Sequence, residues 1–115
     1  MADVVVTVPK GRWSDWIDEG DLPGDDWSGD EFGFYLFGGV PDVAIGERIY
    51  VVAFGRLRGY APLTRVVPLQ RGIVLAREGG AVACTIDEPI TGFRGWRYRW
   101  WEREDEKPFS DWRTP

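Results

Sequence analysis

At 115 residues, 43% apolar and 15% aromatic, the chain has the length of one small domain and enough apolar side chains for a compact core, which excludes a two-domain enzyme and a disordered chain. It contains one cysteine and no histidine, so a disulfide framework, a cysteine-based zinc site, a Ser-His-Asp triad and a Cys-His dyad are all excluded. Its net charge of −5 opposes bulk binding to polyanions, because that affinity grows with the number of phosphates neutralised.

Val4-Val5-Val6-Thr7-Val8 is β-branched throughout and stops at Pro9, which predicts a buried strand. Over 11–19, Trp13, Trp16 and Ile17 recur at i, i+3 and i+4, the apolar stripe of a short helix closed by Gly20. Residues 21–30 hold one proline, two glycines and four aspartates, which predicts a loop with Trp27 inside it. A strand over 32–37 stops at Gly38-Gly39-Val40-Pro41. A strand over 47–54, a turn at Gly55 and a strand over 57–67 predict a hairpin. A second hairpin is expected from 72–77, a turn at Glu78-Gly79-Gly80, and 81–86. From 93 to 103 the residues alternate, with Arg97, Arg99 and Trp101 on one side and Trp96, Tyr98 and Trp100 on the other. Residues 104–115 are polar and contain proline, so they read as a loosely attached tail on a domain spanning 1–103. The expectation is one mainly β domain of five to seven strands and one or two short helices, closed or nearly closed as a small barrel. No apolar run approaches the roughly 20 residues of a membrane-spanning helix. The opening Met-Ala-Asp lacks the order of a secretory leader. A cytoplasmic protein with no membrane partner is expected.

The charge is unevenly spread. Residues 1–47 carry eleven acids against Lys10 and Arg12, a balance of −9; residues 48–101 carry nine arginines against three acids, +6; residues 102–115 carry five acids against three bases, −2. An arginine-rich body between acidic ends permits local binding of an anionic ligand.

The candidate residues follow from that balance and from seven tryptophans. A base stacked on an aromatic ring is stabilised by about 1–3 kcal/mol whatever its identity, and a single altered base is read in a closed pocket. Trp27, flanked by Asp25, Asp26, Ser28 and Gly29, is the first choice, because a large ring in a polar loop suits a ligand better than a core. Trp13 and Trp100 are the further stacking candidates. In Gly55-Arg56-Leu57-Arg58-Gly59-Tyr60 the period of two puts Arg56, Arg58 and Tyr60 on one strand face, and Arg97 shares a face with Arg99. Guanidinium groups meet phosphates bidentately and stack on rings. Both residue types suit a nucleotide, held by an aromatic pocket flanked with arginine.

Catalysis without histidine would fall to Lys10, desolvated and placed near Glu31 or Glu47 as a general acid–base pair. Asp21, Asp25, Asp26 and Asp30 lack the spacing of a calcium loop, so no metal and no cofactor are expected. Cys84, between Ala83 and Thr85, reads as core. A third function class, a small inhibitor or interaction protein, would use the acidic first 47 residues against a basic partner.

Three stretches resemble the PUA-like superfamily in its EVE and ASCH branches: Trp27-Ser28-Gly29, then Gly46-Glu47-Arg48-Ile49-Tyr50-Val51-Val52, then Leu57-Arg58-Gly59-Tyr60-Ala61-Pro62-Leu63-Thr64-Arg65-Val66. The opening strand with Pro9 and the helix ending at Gly20 are similar to the ASCH start. The resemblance spans roughly residues 4–67. It implies a small pseudo-barrel with helices at its mouth that binds RNA or modified nucleobases, and in some ASCH-like members a ribonuclease or an amidohydrolase. The amidohydrolase pattern carries a lysine two residues after the helix-ending glycine. Leu22 holds that position here, so the resemblance points to binding before hydrolysis.

Overall fold

The computed structural model describes residues 2–12, 32–37, 39–77, 82–112 and 114. Two sheets face each other, and a loop-rich layer covers the far side of the first. That sheet has the order β4-β3-β1-β8, from β1 (Val4–Thr7), β3 (Arg48–Ala53), β4 (Arg56–Pro62) and β8 (Trp96–Tyr98). β1 runs parallel to β3 and antiparallel to β8. The second sheet has the order β2-β6-β5, from β2 (Phe32–Phe37), β6 (Gly72–Arg77) and β5 (Arg65–Leu69). A two-stranded ribbon joins β7 (Cys84–Thr85) to β9 (Lys107–Pro108).

The apolar runs in β1 and β3 follow from this layering. Val4, Val6, Ile49, Val51 and Ala53 pack with Phe34, Leu36, Ile73 and Leu75 in one core cluster. Val5, Tyr50, Val52 and Leu57 point the other way and pack with Cys84, Ile86, Ile90 and Trp101. A strand covered on both faces cannot alternate apolar with polar, and 49–53 is buried without interruption. Cys84 sits in that second cluster, as its apolar neighbours implied.

The strands expected over 4–8, 32–37, 47–54 and 72–77 are present within a residue or two. The mainly β class holds, but the described strands form three sheets, none of which closes into a barrel. The single strand expected over 57–67 is two. β4 pairs with β3, and at Leu63 and Thr64 the chain changes sheets: the Leu63 N–H donates to Glu47 O (2.8 Å) and the Thr64 N–H to Ala76 O (2.9 Å). The second hairpin does not form either. β6 already has β2 on one edge and β5 on the other, so Cys84–Thr85 pairs with Lys107–Pro108. Lys10–Arg12 forms one 3-10 turn, and the rest of the helix expected over 11–19 lies outside the described residues.

Within the segment 104–115, expected as a loose tail, the described residues 107–112 pack into the domain. β9 joins a sheet, Trp112 is buried in the first cluster, and Phe109 lies against it. The composition of this stretch is polar, but its few apolar side chains fall where the core is open.

β4 contains a bulge. Gly59 faces Val51 and Leu57 faces Val52, which leaves Arg58 as the extra residue. Beside it, Tyr60 and Val82 exchange backbone hydrogen bonds of 3.0 and 2.8 Å, which brings the Val82 carbonyl against Gly59. A Cβ on Gly59 would lie 2.5 Å from Val82 O. Gly59→Ala is expected to destabilise the fold by about 1–3 kcal/mol through this overpacking, and a wild-type melting curve for that variant would refute the close approach.

Candidate functional site

The candidate site centres on the run into β8. Gly92 lies against Thr7, where an added Cβ would come within 3.2 Å of Thr7 Cγ2. The Phe93 N–H donates to Thr7 Oγ1 (3.1 Å), and Gly95, at φ +73°, turns the chain into β8. These contacts hold Phe93 at the sheet edge. The Arg97 guanidinium carbon lies 4.4 Å from the centre of the Phe93 ring, within cation–π range. Trp100 packs edge-on to the same ring at 6.5 Å, and 44% of its surface is exposed.

Phe93 is also a wall of a cleft of about 560 Å³ between β1 and β2. Val6, Val8, Phe34 and Leu36 supply its apolar lining, and Arg12 and Arg94 its cations. Its volume lies in the range of about 300–1,000 Å³ typical of small-molecule sites, which are also mainly apolar with a few polar groups.

The sequence candidates occupy separate places. Arg97 and Trp100 meet around Phe93. The Arg56 guanidinium instead donates to Thr85 Oγ1 (3.2 and 3.1 Å) and lies over the Phe109 ring at 4.3 Å. Arg58 is buried. It donates to Ala53 O (2.9 Å), Trp112 O (3.4 Å) and Thr114 O (2.6 Å), and stacks on Phe109 at 5.4 Å. Arg58 therefore anchors the C-terminal segment. Tyr60 points to the other face, against Tyr50 at 5.2 Å and beneath the Arg48 guanidinium at 4.0 Å. The face expected to carry Arg56, Arg58 and Tyr60 together is split by the bulge, which shifts the alternation by one residue. Nor do Tyr60 and Arg97 form one site, since β4 and β8 are opposite edges of a four-stranded sheet, three spacings of about 4.8 Å apart.

Glu47 accepts from the Ala44 N–H (2.9 Å) and closes its own turn. Lys10 opens the 3-10 turn, and its side chain lies outside the described residues, as do Trp13, Trp27 and Glu31. The alternation expected over 93–103 holds only within β8. Trp96 and Tyr98 share a face and bind the loop 39–42 through Trp96 Nε1 to Gly39 O (3.1 Å) and the Asp42 N–H to Tyr98 OH (2.9 Å). Beyond Tyr98 the strand ends, so Trp100 turns to Phe93 and Trp101 turns into the core.

Phe93 and Arg94 were not singled out by sequence reasoning. The available signal was an aromatic–arginine pair bracketed by Gly92 and Gly95, the composition of a displayed loop instead of the first turn of a strand.

Two carboxylates organise the ground behind this surface. Asp3, with 2% of its side chain exposed, accepts from the Arg48 N–H (2.9 Å), Arg99 Nε (3.0 Å) and Arg103 Nη2 (2.9 Å). Burial pushes its pKa up, but the Arg48 N–H and the Arg103 and Arg99 guanidiniums outweigh that and hold it below the ordinary carboxylate value. Glu106 accepts from Tyr50 OH (2.6 Å), Trp101 Nε1 (2.9 Å) and Arg48 Nη1 (3.2 Å). Burial, and next the hydrogen bond to Glu106, raise the Tyr50 pKa, while Arg48 lowers it. Burial likewise pushes the Cys84 thiol up to about 12, with Glu106 adding to the rise, so the thiol is a core group and no nucleophile. Among the described residues no cluster of His, Cys, Asp and Glu side chains is arranged to hold a metal ion, and no helix is long and apolar enough to cross a membrane.

No protein-family model, curated protein or solved structure matches this chain.

Proposed function

We propose that the protein binds single-stranded nucleic acid or a nucleoside at the Phe93, Arg97 and Trp100 surface. The observation that carries this reading is the Arg97 guanidinium stacked on Phe93 at the mouth of the 560 Å³ cleft, with exposed Trp100 alongside. Rings of this kind stack any base, and guanidiniums beside them meet the phosphates. The cleft offers an apolar wall to a base, and Arg94 lies on its rim for the attached phosphate. A modified base belongs to the same reading, since a cleft next to a stacking platform takes up an unpaired base. The same reading makes the chain a PUA-like domain, for which the motif order over 4–67 and the mainly β architecture speak.

The test is tryptophan-fluorescence titration with matched oligonucleotides and nucleosides, with and without base modification. Arg97→Ala and Trp100→Ala are each expected to weaken the best ligand by about tenfold or more, from a stacking or charge contribution of about 1–3 kcal/mol. Both side chains are surface groups, so melting temperatures should stay near wild type. Wild-type affinity in both variants would overturn the proposal.

A further inference from the structure

Trp100 stands where the sign of the surface charge reverses. On one side its ring meets Phe93, which leads into the cleft carrying Arg12 and Arg94. On the other its ring meets Trp101 at 5.0 Å, and its Nε1 donates to Glu88 Oε1 at 2.9 Å. Trp101 and Glu88 both line a second cleft, of about 420 Å³, whose walls also carry Asp87, Glu104 and Asp105. Lys107, the one cation in that lining, is already engaged by Asp87. A strand following the arginines toward Trp100 therefore meets carboxylates at the next step.

Each further nucleotide would bring a phosphate against like charge, which disfavours that path strongly. Among the described residues the cationic side is short as well: Arg97 lies over the Phe93 ring, and Arg12 and Arg94 line the cleft beside it. Resting on the nucleic-acid reading above, we infer that this surface takes the terminus of a single strand. The terminal nucleotide stacks at Phe93 and Trp100, the strand leaves on the Arg94 side, and the acidic wall from Glu88 to Glu104 blocks its continuation in the other direction. An interior stretch would have to cross that wall and is excluded.

The test compares a linear, mixed-sequence 30-nucleotide single strand with the same strand ligated into a circle, as DNA and as RNA. The linear strand is expected to bind at least tenfold more tightly than the circle, with a plot of log K against log salt no steeper than about −2.1, at most three phosphates at about −0.7 each. The double variant Glu88→Gln, Glu104→Gln keeps a hydrogen-bond acceptor for Trp100 and removes two charges. In that variant the circle is expected to approach the linear strand to within about threefold. A circle that binds the wild-type protein as well as the linear strand does would overturn the terminus assignment and leave the nucleic-acid reading standing. A circle still excluded by the double variant would overturn the acidic wall as its cause. No binding of either form, as DNA or RNA, would remove the underlying reading itself.

Discussion

Asp3→Ala is expected to lower the melting temperature by roughly 10 °C, a loss of about 3 kcal/mol in a domain of this size. Asp3 is a buried carboxylate that ties three parts of the chain together: the start of β3 through the Arg48 N–H, the exit from β8 through Arg99, and the following turn through Arg103. Removing one partner of such a group leaves the others unmatched, at a typical cost of about 3–5 kcal/mol. The lower end applies because the Arg99 and Arg103 side chains are 22% and 50% exposed and recover solvation. Asp3→Asn keeps an acceptor for the Arg48 N–H and should lose less.

The same carboxylate sets an acid response. Its folded pKa lies below the ordinary value of 3.8, so its ionic contribution is present above that value. It is lost as pH falls through the depressed folded pKa, because the unfolded chain binds the proton first. Thermal melts followed from neutral pH into the acid range should show a steeper loss in wild type than in Asp3→Asn. Parallel curves would show that the Asp3 contacts carry no stability.

Arg58→Ala is the second large effect, and it separates two roles for a residue whose sequence context suggested ligand binding. Three backbone carbonyls, of Ala53, Trp112 and Thr114, depend on this one guanidinium. Hydrogen bonds to a charged donor contribute about 1.5–3 kcal/mol each when buried; the Trp112 contact is long at 3.4 Å and the Thr114 carbonyl only part-buried, so a loss of about 3 kcal/mol in global stability is expected. The C-terminal segment should also become the first site of proteolysis. Arg58→Lys should not rescue, because one ammonium on a flexible stem cannot replace a planar fork reaching three acceptors. Affinity for oligonucleotide, measured well below the melting temperature, should be unchanged. A stable Arg58→Ala protein with weakened binding would return Arg58 to the ligand surface.

The two arginines show how far local pattern carries. Arg97 sits between Trp96 and Tyr98, and Arg58 two residues before Tyr60, both in strands. Arg97 stays exposed because β8 is an edge strand with the Phe93 loop on its outer flank. Arg58 is buried because a bulge forms opposite Val51 and Val52, and because Phe109 and Trp112 fold back over it. A bulge depends on what faces the strand, here the close approach of Val82 to Gly59, and no spacing rule reports that. Glu106 is a similar case. It stands in a run of charges that reads as solvated tail, yet it closes on Tyr50, Trp101 and Arg48.

Residue types and their order already specify the β class, most strand positions up to residue 77, the burial of Cys84, and the exclusion of histidine-based chemistry. These depend on residue types and short-range periodicity, which act within a few neighbours along the chain. Long-range contacts settle which strands pair, that 57–67 crosses from one sheet to the other, that the polar stretch 107–112 is built into the core, and that Phe93 and Arg94 accompany Arg97 and Trp100 at one surface. The physical reason is that strand pairing and side-chain burial join residues far apart in sequence. Thr7 and Phe93, or Asp3 and Arg103, meet because they flank β1 and β8, which are far apart in sequence but paired in one sheet, and neither local segment carries a trace of the other.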